Sequence, residues 1–188
     1  MQSKESQNSS TKKLVRETFS SEIISIIGDI FAGSLLYILI LPFQSFIALI
    51  LFVPALLSLR GNISGPFIAR TSRDLIIGEF NKKSWFENVL ATLCLSLVTA
   101  LLIGCISIYL NYIILNIDIL SIYQLIMLPI ISILLSLTLS IPCSTLLNII
   151  AFRYGIDPNN LVNPIMTAVD DFLTIICFFI TLMIMGVP

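Results

Sequence analysis

The chain has 188 residues, of which 57% are hydrophobic and 11% charged, with a mean hydropathy of +1.02. A water-soluble domain carries roughly a quarter charged residues, so this composition excludes a soluble globular fold and assigns the chain to the membrane class. The net charge of −1 and the few scattered basic residues exclude nucleic acid as a partner, because they form no basic stripe.

The first 22 residues are polar and hold Lys4, Lys12, Lys13 and Arg16. They lack the apolar core of a cleavable signal peptide, so residues 1–22 are expected to remain as a cytoplasmic tail. That tail should be disordered through about Thr11 for want of apolar residues. A spanning helix needs about 20 mostly apolar residues. Ile23–Leu41 meets this and ends near Pro42, and Phe43–Leu59, with Pro54 inside it, is a somewhat short second candidate. A polar stretch, Arg60–Glu87, follows. Val89–Leu110 is an uncharged third span, and Asn111–Ser121 a short link. Ile122 to about Phe152 is a long fourth span with Pro129 and Pro142 as kink points, and Pro164–Met185 is the fifth. The reading is an all-α, multi-pass membrane protein whose residues 23–188 form a domain of five transmembrane helices, without internal repeats.

Orientation follows from Lys and Arg. With the amino terminus inside, segments 1–22, 60–87 and 153–163 are cytoplasmic and hold all ten basic residues. The positive-inside rule then puts the carboxyl terminus outside, in a cell-membrane protein. On this reading Arg60, Arg70 and Arg73 are cytoplasmic anchors.

Several spans carry polar residues at helical spacing. Ser132, Ser136, Ser140, Ser144 and Asn148 form one stripe, which reads as a helix–helix packing face. Ser21, Ser25, Asp29 and Gly33 form a second, and Asn163, Thr167, Asp171 and Thr174 a third. Cys94, Cys105, Cys143 and Cys177 lie in apolar runs without CxxC spacing, and there is no His; they read as small apolar packers, not as a zinc site or disulfide framework.

The third stripe contains a carboxylate, which is costly at membrane depth and ordinarily faces a bundle interior or a water path. Asn163-Pro164 has the form of a helix start, with Asn as N-cap and Pro at the first helical position. Asp171 would then lie about 10 Å into the helix, with Thr167 one turn and Asn163 two turns nearer the cytoplasm. Amide, hydroxyl and carboxylate oxygens are hard donors that suit magnesium, calcium or manganese. Asp170 and Asp171 point about 100° apart; one lines the path while the other meets a neighbouring helix. For Asp170 a structural acceptor and a lining role remain equal alternatives. Asp29 either faces a water-filled route or lies near the cytoplasmic interface, and Asp157 caps the turn with Pro158. Gly61, Gly65 and Pro66, within RGNISGPFIARTSRD, suggest a helix broken where carbonyls are exposed.

VPALLSLRGNISGPFIARTSRDLIIGEF resembles the segment of MgtE-type magnesium transporters with a Gly-Asn pair at the end of the second transmembrane helix, and GIDPNNLVNPIMTAVDDF resembles their fifth helix with its Asp-Pro, Asn-Pro and intramembrane Asp. The Arg-Gly-Asn variant with a later Arg is most similar to the related solute-carrier branch. The resemblance implies a five-helix transmembrane half that pairs with a second half around a central ion path lined by the fifth helix. It makes Asp171 the ion-site carboxylate, Asn163 and Thr167 pore-facing, and Asn62 of the Gly-Asn pair a further candidate. Asp170 falls where the family more often has a small or hydroxylated residue, and Thr174 where many members have Gly. The cytoplasmic acidic domain and CBS pair of larger relatives have no counterpart in so short a tail. Since the chain holds one half, the resemblance implies a parallel homodimer, with magnesium (Mg2+), or else manganese or calcium, as the transported ion. The alternatives are a non-transporting scaffold or half-subunit needing a different partner, and a membrane-embedded phosphatidyl transferase or aspartyl protease. The enzymes need acid spacings and Gly-containing signatures that DDF and Asp29 do not supply.

Overall fold

The computed structural model describes residues 2–43, 46–50, 52–116 and 118–187. Helix α1 spans Gln2–Ile40, α2 Phe46–Leu49, α3 Phe52–Ile77, α4 Lys82–Ile108, α5 Ile122–Arg153 and α6 Pro158–Ile184. Four stretches are long and apolar enough to cross a membrane: Thr18–Ile40, Lys82–Ile114, Ile122–Arg153 and Pro158–Ile184. The expectation of five spans is thus met in four.

The second expected span shows why. Phe43–Leu59 is not one helix: a turn separates α2 from α1, and α3 begins only at Phe52. Residues 44, 45 and 51 of that stretch lie outside the described residues. Helix α3 then runs unbroken through Arg60, Gly61, Asn62, Gly65 and Pro66, the stretch expected to leave the helix. Its buried positions Phe52, Val53, Leu56, Leu59, Arg60, Ile63, Ser64, Phe67, Ile68, Thr71 and Ser72 keep a helical period throughout. Arg60, Ser64, Thr71 and Ser72 of α3 therefore point inward, so its hydropathy is low although it packs against α4, α5 and α6.

Two helix starts also differ from expectation. α1 begins at Gln2, so helix runs through the polar tail expected to be disordered; residues 2–18 contain neither Pro nor Gly and are rich in Lys, Glu and Gln, which are good helix formers. α6 starts at Pro158, not Pro164: Asp157 is the N-cap and accepts the Asn159 N–H at 2.9 Å. Pro164 is inside the helix and deprives the Asn160 carbonyl of its intrahelical donor. Ser21 of α1 answers it, sharing its hydroxyl between Thr18 O and Asn160 O at 2.9 Å each.

Asn81 caps α4 through the Lys83 and Ser84 N–H groups, and the helix widens to π geometry over Tyr109–Ile114. Ser121 and Gln124 form a capping box at the start of α5. Pro129 leaves the Leu125 carbonyl unpaired within α5, and α4 comes close there because residue 104 is Gly: a Cβ on it would lie 3.2 Å from that oxygen and 3.0 Å from Ile126 Cα.

Helix α6 is the hub, packed against α1, α3 and α5, while α4 closes the far side against α3 and α5. The main core joins Phe52, Leu56, Ile63 and Phe67 of α3 with Leu125, Leu128 and Ile133 of α5 and Phe178 and Leu182 of α6. Helix α1 rests chiefly on α6. Its contact line is Ser21, Ser25, Gly28 and Ala32 instead of the Ser21, Ser25, Asp29, Gly33 stripe, because 3.6 residues per turn carries a strict four-residue repeat off the contact.

Candidate functional site

The two adjacent acids of α6 have different surroundings. Asp170 is sealed in the bundle, and its partner is Arg60: Arg60 Nη2 donates to Asp170 Oδ1 at 2.8 Å, with each side chain 1% exposed. Ser64, one turn along α3 from Arg60, donates to Asp170 Oδ2, and Ser140 of α5 donates to Oδ1. The carboxylate thus ties α3, α5 and α6 together. Arg60 is a buried cation and not the cytoplasmic anchor expected of it; the physical reason is the inward stripe of α3, which continues past Leu59.

The serine stripe of α5 faces the same interior. Ser132, Ser136, Ser140, Ser144 and Asn148 are all buried, and most return their hydroxyls to α5 carbonyls. Small hydroxylated residues let three helix backbones converge on the acid. Cys177 is buried, Cys143 half-buried, and Cys94 and Cys105 exposed, all as free thiols.

Asp171 lies about 100° around the helix from Asp170 and about 60° from Ala168. Ala168 is where α1 docks: a Cβ on Gly28 would fall 2.6 Å from the Ala168 Cβ. Asp171 therefore opens between the α3–α5 side and the α1 side of α6, half-buried, at the fourteenth of the helix's 27 residues. Along the stripe exposure declines from the amino-terminal end of α6: Asn163 is exposed, Thr167 and Asp171 are half-buried, and Thr174 is buried. Thr167 donates its hydroxyl hydrogen to Asn163 O at 3.0 Å, which leaves the lone pairs of its oxygen able to accept.

Helix α3 packs on α6 beside this face, and the exposed to half-buried strip of Asn163, Thr167 and Asp171 is a shallow crevice along α6. Residue 65 is Gly, and a Cβ there would lie 3.6 Å from Asn163 Oδ1, so the Asn163 side chain reaches α3 at that level. Asn62, one turn before Pro66, is exposed, and Pro66 leaves its carbonyl without the usual donor. Asp29 of α1 is exposed beside Gly28. The structure thus groups Asn163, Thr167 and Asp171 on α6, sets Asn62 on the adjoining helix, and separates Asp170 from them as a fully engaged acceptor.

Sequence reasoning missed Arg60, Ser64 and Ser140 as one unit. The signal was available in part: Arg60 and Ser64 are four residues apart on the helical period set by Leu56, Ile63 and Phe67. Among the described residues no group of three or more His, Cys, Asp and Glu side chains is placed to hold a metal ion within one chain.

A family model described as MgtE, divalent cation transporter, matches residues 53–181. The match runs from α3 into α6, taking in the Arg60–Asp170 core and the crevice residues of α3 and α6, and leaves α1 with Asp29 outside it. No curated protein and no solved structure matches the chain.

Proposed function

Because the chain belongs to the MgtE family of divalent cation transporters, we propose that it passes magnesium through the membrane along a path lined by α6 at the axis of a parallel homodimer. The observation that carries this is Asp171: a carboxylate halfway along a spanning helix, half-buried, below an open stripe of Asn163 and Thr167. Such a group must meet water or protein, not lipid. A second copy laid against the same face supplies both cover and the missing ligands, since a twofold axis repeats every donor.

Two Asp171 carboxylates near that axis repel strongly in a low dielectric, and a divalent cation between them cancels the repulsion. Asn163, Thr167 and the free Asn62 carbonyl then serve as hydrogen-bond acceptors for a partly hydrated ion, because magnesium gives up its water reluctantly. Manganese and calcium are the competitors that hard oxygen donors also admit. Weak, multi-site contacts allow the ion to leave again. Burial of Thr174 marks where the crevice narrows. Asp29 lies close enough to the α1–α6 contact to add negative charge at the crevice mouth. Arg70 and Arg73, exposed near the end of α3, and Lys82 and Lys83 at the start of α4 support a cytoplasmic position for that end of the bundle.

The test is uptake of magnesium by proteoliposomes. The wild-type chain conducts, and Asp171→Asn loses flux by at least about a hundredfold while still running as a dimer, the scale of loss for a single preorganised electrostatic group. Wild-type flux in the Asn variant would reject the role of Asp171, and a monomeric, conducting wild type would reject the axial path.

A further inference from the structure

The Arg60–Asp170 pair is poorly arranged if stability is its purpose. Arg60 Nε and Nη1 are buried without any partner, so most of the guanidinium's donors are desolvated for nothing in return. Buried ion pairs are commonly no more stabilising than apolar residues of equal volume; their attested use is to fix register. The geometry here suits that use. Asp170 is held by α3 through Arg60 and Ser64 and by α5 through Ser140, whereas α1 holds α6 by small-residue packing at Gly28 and Ala168 and by the Ser21 bond to Asn160 O, with no contact to Asp170. The next residue after Asp170 is Asp171.

We infer that Arg60 is a positioning residue for cation transport: by clamping Asp170 it sets the rotation of α6 about its own axis and so aims Asp171, with Thr167 and Asn163, into the crevice. Arg60 itself touches no ion. A rotation of α6 by one residue's angle would point Asp170 into the crevice and turn Asp171 away from it, toward α1. Of two adjacent carboxylates, the one that meets a guanidinium is neutralised and the other keeps its charge for the ion. This inference rests on the transport reading above but fails separately from it.

The experiment compares the full-length wild type, Arg60→Met with Asp170→Met, and Arg60→Lys, each in proteoliposomes, with initial magnesium uptake measured against magnesium concentration. The double Met variant keeps the core filled without charge. It is expected to assemble as the wild type does and to raise KM at least about tenfold, the scale set by misplacing a preorganised group by an ångström or less. Arg60→Lys keeps a cation on Asp170 and is expected to hold KM within about threefold of wild type, since Lys reproduces the charge but not the planar fork. A double Met variant that folds and keeps the wild-type KM overturns the inference. If that variant does not fold, Arg60→Leu with Asp170→Asn removes the ion pair while residue 170 keeps a polar group for Ser64 and Ser140; a raised KM supports the inference and an unchanged one overturns it. Absence of flux in the wild type would sink the transport reading itself.

Discussion

Residues 170 and 171 are both aspartate, adjacent on one helix, yet one sits in the driest part of the molecule and the other at its open seam. Around Asp170 three helices converge, and every oxygen of the carboxylate has a donor. Around Asp171 the cover is partial: α1 packs on one side of α6 along Ser21, Ser25, Gly28 and Ala32, α3 engages Asp170 on the other, and Asp171 lies half-buried between them. The difference is a rotation of about 100°, not a difference in chemistry. In a membrane protein, which acid is structural and which is free to hold an ion is decided by the neighbouring helices.

The sharpest way to break the comparison is to remove one charge from the sealed side. Arg60→Ala leaves the Asp170 carboxylate buried and unpaired, which costs about 3–5 kcal/mol. Expression as aggregate, or a large fall in thermal midpoint in detergent, is the expected outcome. Asp171→Ala on the open side should leave that midpoint within about 1 kcal/mol of wild type, because no buried partner is orphaned. Equal losses from the two substitutions would mean that Asp171 is as structural as its neighbour.

A smaller effect is expected where α1 closes the open side. Gly28→Leu forces a side chain against Ala168, where even a Cβ would stand 2.6 Å away. Overpacking of this kind costs about 1–3 kcal/mol, and α1 can relieve it by lifting from α6. The check is cross-linking of a Ser21→Cys and Asn160→Cys pair, at the position where the two helices already touch: its yield should drop in the Gly28→Leu background. An undiminished yield would show that α1 is anchored by more than this contact.

The same contrast explains what could be read from the chain. Four spans and the Asn163, Thr167, Asp171 stripe were legible because they are written in apolar runs and in a helical period, which are local properties. The inward direction of the α5 serines was legible for the same reason. The course of α3 was not: Arg60, Ser64, Thr71 and Ser72 lower its hydropathy, and a window average cannot tell a polar loop from a helix whose polar face is buried. The position of the α6 start was also hidden. Asp157-Pro158 and Asn163-Pro164 are equally good helix-start signals, and the choice between them depends on whether another helix supplies a donor to Asn160 O. Ser21, 139 residues away, does so.

That last contact gives the mildest and most specific test. Pro164 has no N–H, so in the wild type the Asn160 carbonyl relies on Ser21. Ser21→Ala should cost about 0.6–1 kcal/mol, the ordinary value of an interhelical hydroxyl bond in a membrane. Pro164→Ala restores a backbone donor four residues along from Asn160, so the carbonyl no longer needs the hydroxyl. In the Pro164→Ala background, Ser21→Ala should therefore cost close to nothing, and the double-mutant cycle should return a coupling of about 0.5 kcal/mol or more. Thermal midpoints of the four proteins in one detergent supply the cycle. Simple additivity would mean that Ser21 is held in place by packing against α6 alone, and that Pro164 rather than α1 determines how α6 carries its open stripe.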